Sequence, residues 1–319
     1  MYKRALLCLT IVFFFAASLL GCSVSGDQNT FEKDKKRIVF VSPQLDFPVW
    51  NQAKAGFEKA MEEYGFYGEW VGADNCNMED MKREISIAVS ENVDAVITCP
   101  LTPSEFTETF EEVRSKGIPV ITLLVDAESP ELRTAFIAPN YKELGLEQTR
   151  ALHDKVGDEM KIGVIMSGLT TENQMIQVAC LKDYIKDYPK SEIIAYAEDY
   201  NNPINGMNIL LEMLAEHPEM NSLFVTSGDA VPSYGKIVLE NDLLGKLTVI
   251  GMDITEVNLS AVQNGGVYGV MGQDVYNAGY LGGKYAFQSA LGENVPSLTY
   301  VDHELITKEN IDDSKIIRP

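Results

Sequence analysis

The chain has 319 residues, of which 45% are hydrophobic and 9% aromatic, enough to build packed cores and too apolar for a disordered chain. A formal net charge of -21 repels phosphate backbones and excludes nucleic acid as a partner. The five cysteines include no C-x-x-C pair and there are only three histidines, so no zinc or redox motif is supported.

The N-terminus has the anatomy of an export signal. Lys3 and Arg4 form a basic start, residues 5–17 an apolar stretch, and Leu19-Leu20-Gly21-Cys22 a compact box before a polar run over 26–36. The apolar stretch is short for a membrane span. This arrangement resembles a bacterial lipoprotein signal. The resemblance implies removal of residues 1–21, a lipid anchor on Cys22 and a flexible tether over 22–36. The protein is then expected outside the cytoplasm, anchored to the cell membrane.

From Arg37 the chain alternates apolar runs with segments of helical period. Residues 38–41 (I-V-F-V) read as a strand buried on both faces, stopped by Ser42 and Pro43. After a short loop, Trp50 opens a helix whose apolar positions are Ala53, Phe57, Ala60, Met61 and Tyr64. Helices are expected at 78–91 and 106–116 and strands at 95–99 and 118–124, with Gly117 closing the second helix. The pattern breaks near Asn140 and restarts at 161–167, followed by strands at 192–197, 222–226 and 247–252. A long helix over 275–291 contains Gly279, Gly282 and Gly283, which cost helix stability and are expected to serve close packing. A strand at 298–301 ends the series.

Alternation of this kind predicts an α/β fold with two doubly wound, Rossmann-like parallel-sheet lobes. Ligands of such sheets bind at the carboxyl ends of the strands. The lobes are assigned as 37–139 plus 274–297 and 140–273 plus 298–319, and the several crossings between them make a hinge.

Four stretches together resemble the type I periplasmic binding proteins of the ribose, galactose and xylose class. They are F-P-V-W-N-Q-A-K-A-G-F-E-K-A from Phe47, G-I-P-V-I-T-L from Gly117, V-I-G-M-D from Val249, and G-V-M-G-Q-D-V-Y-N-A-G-Y-L-G from Gly269. The resemblance implies a solute-binding protein that captures a small sugar or polyol and delivers it to an ABC permease. A membrane sensor or chemoreceptor is the alternative partner, and a monomer is expected. By the same resemblance Trp50 stacks on the sugar ring, Asp253 accepts from adjacent hydroxyls and Gln273 offers a donor and an acceptor. Tyr200 corresponds to a second aromatic in the other lobe, and the resemblance implies a three-segment hinge with Asn140 at its first crossing.

The departures from that pattern bear on the cargo. Phe47 stands where relatives carry Asn, Leu124 where they carry Asp with the next acid at Asp126, and Gln177 where they carry Arg. Phe47, Asp126 and Gln177 thus complete the expected ligand set. The stretch G-Y-L-G-G-K-Y from Gly279 lacks the Ser or Thr of a phosphate loop, and His303-Glu304 lacks a second His. Asn201, Asn205, Gly206 and Glu212 mimic a calcium-loop spacing, but Pro203 occupies a ligand position. No enzyme, metal or cofactor is therefore expected.

Overall fold

The computed structural model describes residues 35–169 and 171–316; the leader, Cys22 and almost all of the tether lie outside the described residues. The first strand, β1 (Arg37–Ser42), shows why an unbroken apolar run was needed. Ile38 and Phe40 face one core, with Ala53 and Phe57, while Val39 and Val41 face another, with Met81, Ile85 and Phe106. Successive strand residues point to opposite faces, so a strand covered on both sides has no polar face. Each such side chain contributes about 1.5–3 kcal/mol on burial.

Around β1 the first sheet comprises β2 (Tyr67–Gly72), β3 (Ala95–Thr98), β4 (Val120–Leu123), β5 (Ala135–Pro139) and β11 (Leu298–Val301). Their spatial order is β11-β5-β4-β3-β1-β2, and all of these pairings are parallel. The second sheet comprises β6 (Lys161–Met166), β7 (Glu192–Glu198), β8 (Ser222–Val225), β9 (Thr248–Met252), β10 (Gly269–Gln273) and β12 (His303–Thr307). Its order, β12-β10-β9-β8-β6-β7, repeats the first sheet's winding. Only β12 runs antiparallel, against β10. Each half therefore reverses strand order beside its own first strand, and the loop leaving that strand opens onto a crevice.

Helices cover both faces. In the first half they are α1 (Pro48–Tyr64), α2 (Met78–Ser90) and α3 (Thr107–Ser115). In the second half they are α4 (Tyr141–Val156), α5 (Glu172–Tyr184), α6 (Pro203–Glu216), α7 (Val231–Glu240) and α8 (Glu256–Gln263). The ninth, α9 (Val275–Ala290), returns to the first lobe and packs along α1. None of the described helices is long and apolar enough to cross a membrane.

Three segments carry the chain between the sheets. Asn140 follows β5 and caps α4, its Oδ1 accepting from Lys142 N at 3.2 Å. Asp274 follows β10 and caps α9, accepting from Asn277 N at 3.0 Å. Asp302 joins β11 to β12, and its carbonyl accepts from Asp274 N at 2.9 Å, which ties the second and third crossings together.

One expectation is corrected, and one strand had no counterpart in the sequence pattern. Residues 298–301 belong to the first sheet, not the second lobe, because β11 extends that sheet by pairing with β5. The final crossing thus falls at Asp302 rather than before Leu298. Strand β2 is absent from the sequence reading: Y-G-E-W-V-G is a partly exposed edge strand without a continuous apolar run.

The glycines of α9 have a steric reason. A Cβ on Gly279 would lie 2.0 Å from the Ala53 carbonyl oxygen, and one on Gly56 1.9 Å from that of Tyr276. The two helix backbones touch directly, and neither side can yield as a flexible side chain would. Gly279→Ala should therefore destabilise the protein by about 1–3 kcal/mol in urea unfolding, the scale of core overpacking. A change under about 0.5 kcal/mol would show that α1 and α9 are not in such close contact.

Candidate functional site

The carboxyl ends of both sheets line one cavity of about 470 Å³, the size range of small-molecule sites. From the first lobe come Trp50, in the first turn of α1, and Phe47, at the N-cap position of that helix. Pro48 fixes the first helical residue, so the indole leaves the first turn at a set angle. Trp50 is only 7% exposed and also belongs to the first lobe's core. It is at once a packing residue and a cavity wall.

The second lobe supplies the polar floor. Tyr141 donates from its hydroxyl to Gln273 Oε1 at 3.0 Å, and Gln273 Nε2 donates to Asp253 Oδ1 at 2.9 Å. Because Tyr141 opens α4 and Gln273 ends β10, this chain of bonds fixes the amide's orientation beside two crossings. Asp253 does not cap α8; that role falls to Thr255, whose side chain accepts from Asn258 N. Gln177, the residue expected in place of an Arg, is fully buried, lines the cavity and donates to the Asn173 carbonyl. Its Oε1 is buried without a hydrogen-bond partner. Tyr200 also lines the cavity but is 67% exposed, and its hydroxyl donates to Glu198.

One expected ligand residue lies elsewhere. Asp126 does not line this cavity but two neighbouring ones, and it is held by Arg133 through Nε and Nη2, each at 2.8 Å. Arg133 is almost fully buried, so the fork-to-fork pair commits the carboxylate to structure. Asn140 acts as a helix cap at the first crossing and is not part of the wall.

Several wall residues carry no signal in the sequence reading. Asp229 is the most consequential. It sits between β8 and α7, borders the cavity, and makes no hydrogen bond or ion pair among the described residues. Asn173, Gln174 and Ser227 also contribute. The signal that could have found Asp229 is position: Asp199, Asp229 and Asp253 each follow a strand of the second sheet at its carboxyl end.

Cysteines show no redox arrangement. Cys76, Cys99 and Cys180 are unpaired thiols. Cys76 borders the cavity, with its thiol pushed up to about 11 by burial and by Asp229. Cys180 is half-buried on α5 rather than in a core.

Backbone strain gathers at the same place. Cys76, Leu124, Tyr200, Asn201 and Asp253 have φ between 54° and 68° and all line the cavity, whereas Asn92 and Asp242 are the other non-glycine residues of that kind among those described. Residues held in this left-handed region cost free energy that the surrounding structure must offset, and they concentrate at functional sites.

The electrostatics are one-sided. No Lys, Arg or His stands among the described wall residues, while Asp229 and Asp253 both do. Burial, then repulsion from Asp253 and Asp199, pushes the Asp229 carboxyl up to about 7. Burial pushes Asp253 up to about 6 against the opposing bond from Gln273. Asp199, one layer further back, is saturated by Tyr234, Ser227 and the Asn201 amide.

A match to the family described as a periplasmic binding protein domain runs over residues 38–294, and the chain belongs to that family. It is 27% identical to a tyrosine-binding protein of Clostridioides difficile, over 97% of this chain and 91% of that one. It is 22% identical to the ribose import binding protein RbsB of Bacillus subtilis, over 83% and 85% of the two chains. Among solved structures it resembles GanP, a glucose-galactose binding protein from Geobacillus stearothermophilus, at 25% identity and a TM-score of 0.83, covering 88% of this chain and 99% of that one.

The raised carboxyls have a measurable consequence. Below about pH 3 these groups are protonated both folded and unfolded, and they cost nothing. As pH rises towards 7 the unfolded chain ionises first, so the ligand-free protein loses stability through that window. Asp229→Asn should raise the melting temperature at pH 7.5 by roughly 3–6 °C, on the order of 1–2 kcal/mol after allowance for solvent at the cavity mouth. The gain should shrink as pH falls and vanish below about pH 3. A variant no more stable than the parent at pH 7.5 would contradict the electrostatic account.

Proposed function

We propose that the protein is an extracytoplasmic, lipid-anchored solute-binding protein that captures a small hydroxylated solute, of sugar or polyol size, and passes it to an ABC importer. The observation that carries this reading is the single cavity walled by Trp50 from one lobe and by Asp253, Gln273 and Gln177 from the other. A flat indole covers the C–H face of a ring and excludes water from it. An ionised carboxylate accepts from adjacent hydroxyls, and its bonds are stronger for being charged. Asn140, Asp274 and Asp302 serve as the hinge. A solute touching both walls stabilises the closed form by its differential affinity for that form, and the closed pair of lobes is what a permease reads.

Relatives support the small-solute role and leave the cargo open. Their printed names span ribose, xylitol, tyrosine and glucose-galactose. Loss of the Arg and Asp expected at Gln177 and Leu124 makes this cleft differ from the sugar pattern in charge. The lipid anchor rests on the Cys22 box.

Differential scanning fluorimetry of the mature domain against pentoses, hexoses, polyols and their amino derivatives tests the reading, since a ligand of the native state raises the melting point. At least one should shift it saturably, and Trp50→Ala together with Asp253→Asn should each weaken that ligand by roughly tenfold or more. A shift that survives both substitutions undiminished would place the solute somewhere else.

A further inference from the structure

The polar floor of the cavity is unbalanced in a way that a neutral sugar does not require. Six of its donors are engaged within the protein. Tyr141 donates to Gln273, and Gln273 to Asp253. Gln174 donates to Ser167 Oγ at 2.6 Å, Gln177 to Asn173 O, Thr226 to Gln174 and Ser227 to Asp199. Several of its acceptors have no partner among the described residues: both oxygens of Asp229, the second oxygen of Asp253 and the orphaned Oε1 of buried Gln177.

Such a floor asks for donors, and its charge asks for a cation. A sugar hydroxyl brings one proton and also lone pairs that need donors of their own; an ammonium brings three protons and no lone pair. Two neighbouring carboxylates without a basic wall residue hold uncompensated charge in a partly desolvated space, which a bound cation relieves. Aromatic rings on the same walls, those of Trp50, Phe47 and Tyr200, attract a cation through their π faces. A metal ion does not suit the arrangement, because no group of three or more His, Cys, Asp or Glu among the described residues converges to hold one.

We propose that the solute captured here carries a protonated amino group, seated against Asp229 and the free oxygen of Asp253. The proposal rests on the capture reading above and names its ligand class: an amino sugar, an aminated polyol or an aromatic amine, all sharing the cationic nitrogen. An α-amino acid brings a carboxylate as well, for which the described walls offer no basic side chain.

Matched pairs separate charge from shape. Isothermal titration at pH 7.5 compares D-glucosamine with D-glucose, D-galactosamine with D-galactose, and tyramine with tyrosol, with L-tyrosine as the zwitterionic arm. In at least one pair the amine should bind tenfold or more tightly than its neutral partner, and which pair responds distinguishes amino sugar from aromatic amine. Asp229→Asn, confirmed as folded by its own melting curve, should shrink that preference to less than about threefold. Neutral members binding as well as or better than the amines would overturn the amine assignment while leaving solute capture standing. A wild-type preference unaltered in both Asp229→Asn and Asp253→Asn would overturn the seat assigned to it. Tyrosine binding tighter than tyramine would also overturn the proposal, by showing that the carboxylate is recognised. Absence of binding across every pair would overturn solute capture in this size class together with the inference built on it.

Discussion

The bond chain from Tyr141 through Gln273 to Asp253 is the constraint on which the site depends. It begins where one crossing segment enters α4 and ends on a residue with φ of 68° at the end of β9. With the Gln273 amide bonded at both ends, it holds one oxygen of the Asp253 carboxylate in place. A packed hydrogen-bond network in a low-dielectric space is stiff in this sense, and its members act as a unit. The cavity therefore presents acceptors in fixed positions before any ligand arrives, which lowers the ordering cost of binding.

The rest of the fold can be understood as support for that arrangement. Two sheets with the same winding order bring their carboxyl ends to opposite sides of one space. Direct contact between the backbones of α1 and α9 fixes the helix that carries Trp50. The price is paid in strained φ angles and raised carboxyls around the cavity, a conflict between stability and site chemistry that folded proteins tolerate at functional positions.

Much of this was legible in the sequence, for physical reasons that also explain what was not. Buried strands such as 38–41 and 161–166 must be apolar on both faces, so they stand out as runs. Trp50, Asp253 and Gln273 follow or open regular elements at recognisable places. Edge strand β2 has one partly wet side and lacks such a run. The lobe of β11 depends on which edge it joins, a choice set by long-range pairing with β5 and invisible in L-T-Y-V. Asp126 looked like a strand-end ligand, but Arg133, seven residues on, claims it. Asp229 and the orphaned oxygen of Gln177 come from separate elements, and their meaning arises only when the chain brings them to one wall.

The most direct test is a crystal structure of the protein with a solute that raises its melting temperature. The account predicts ligand density between the Trp50 indole and the carboxylates of Asp229 and Asp253. A solute seated in the neighbouring cavity beside Asp126 and Pro130, with the space between Trp50 and Asp253 filled only by water, would contradict it.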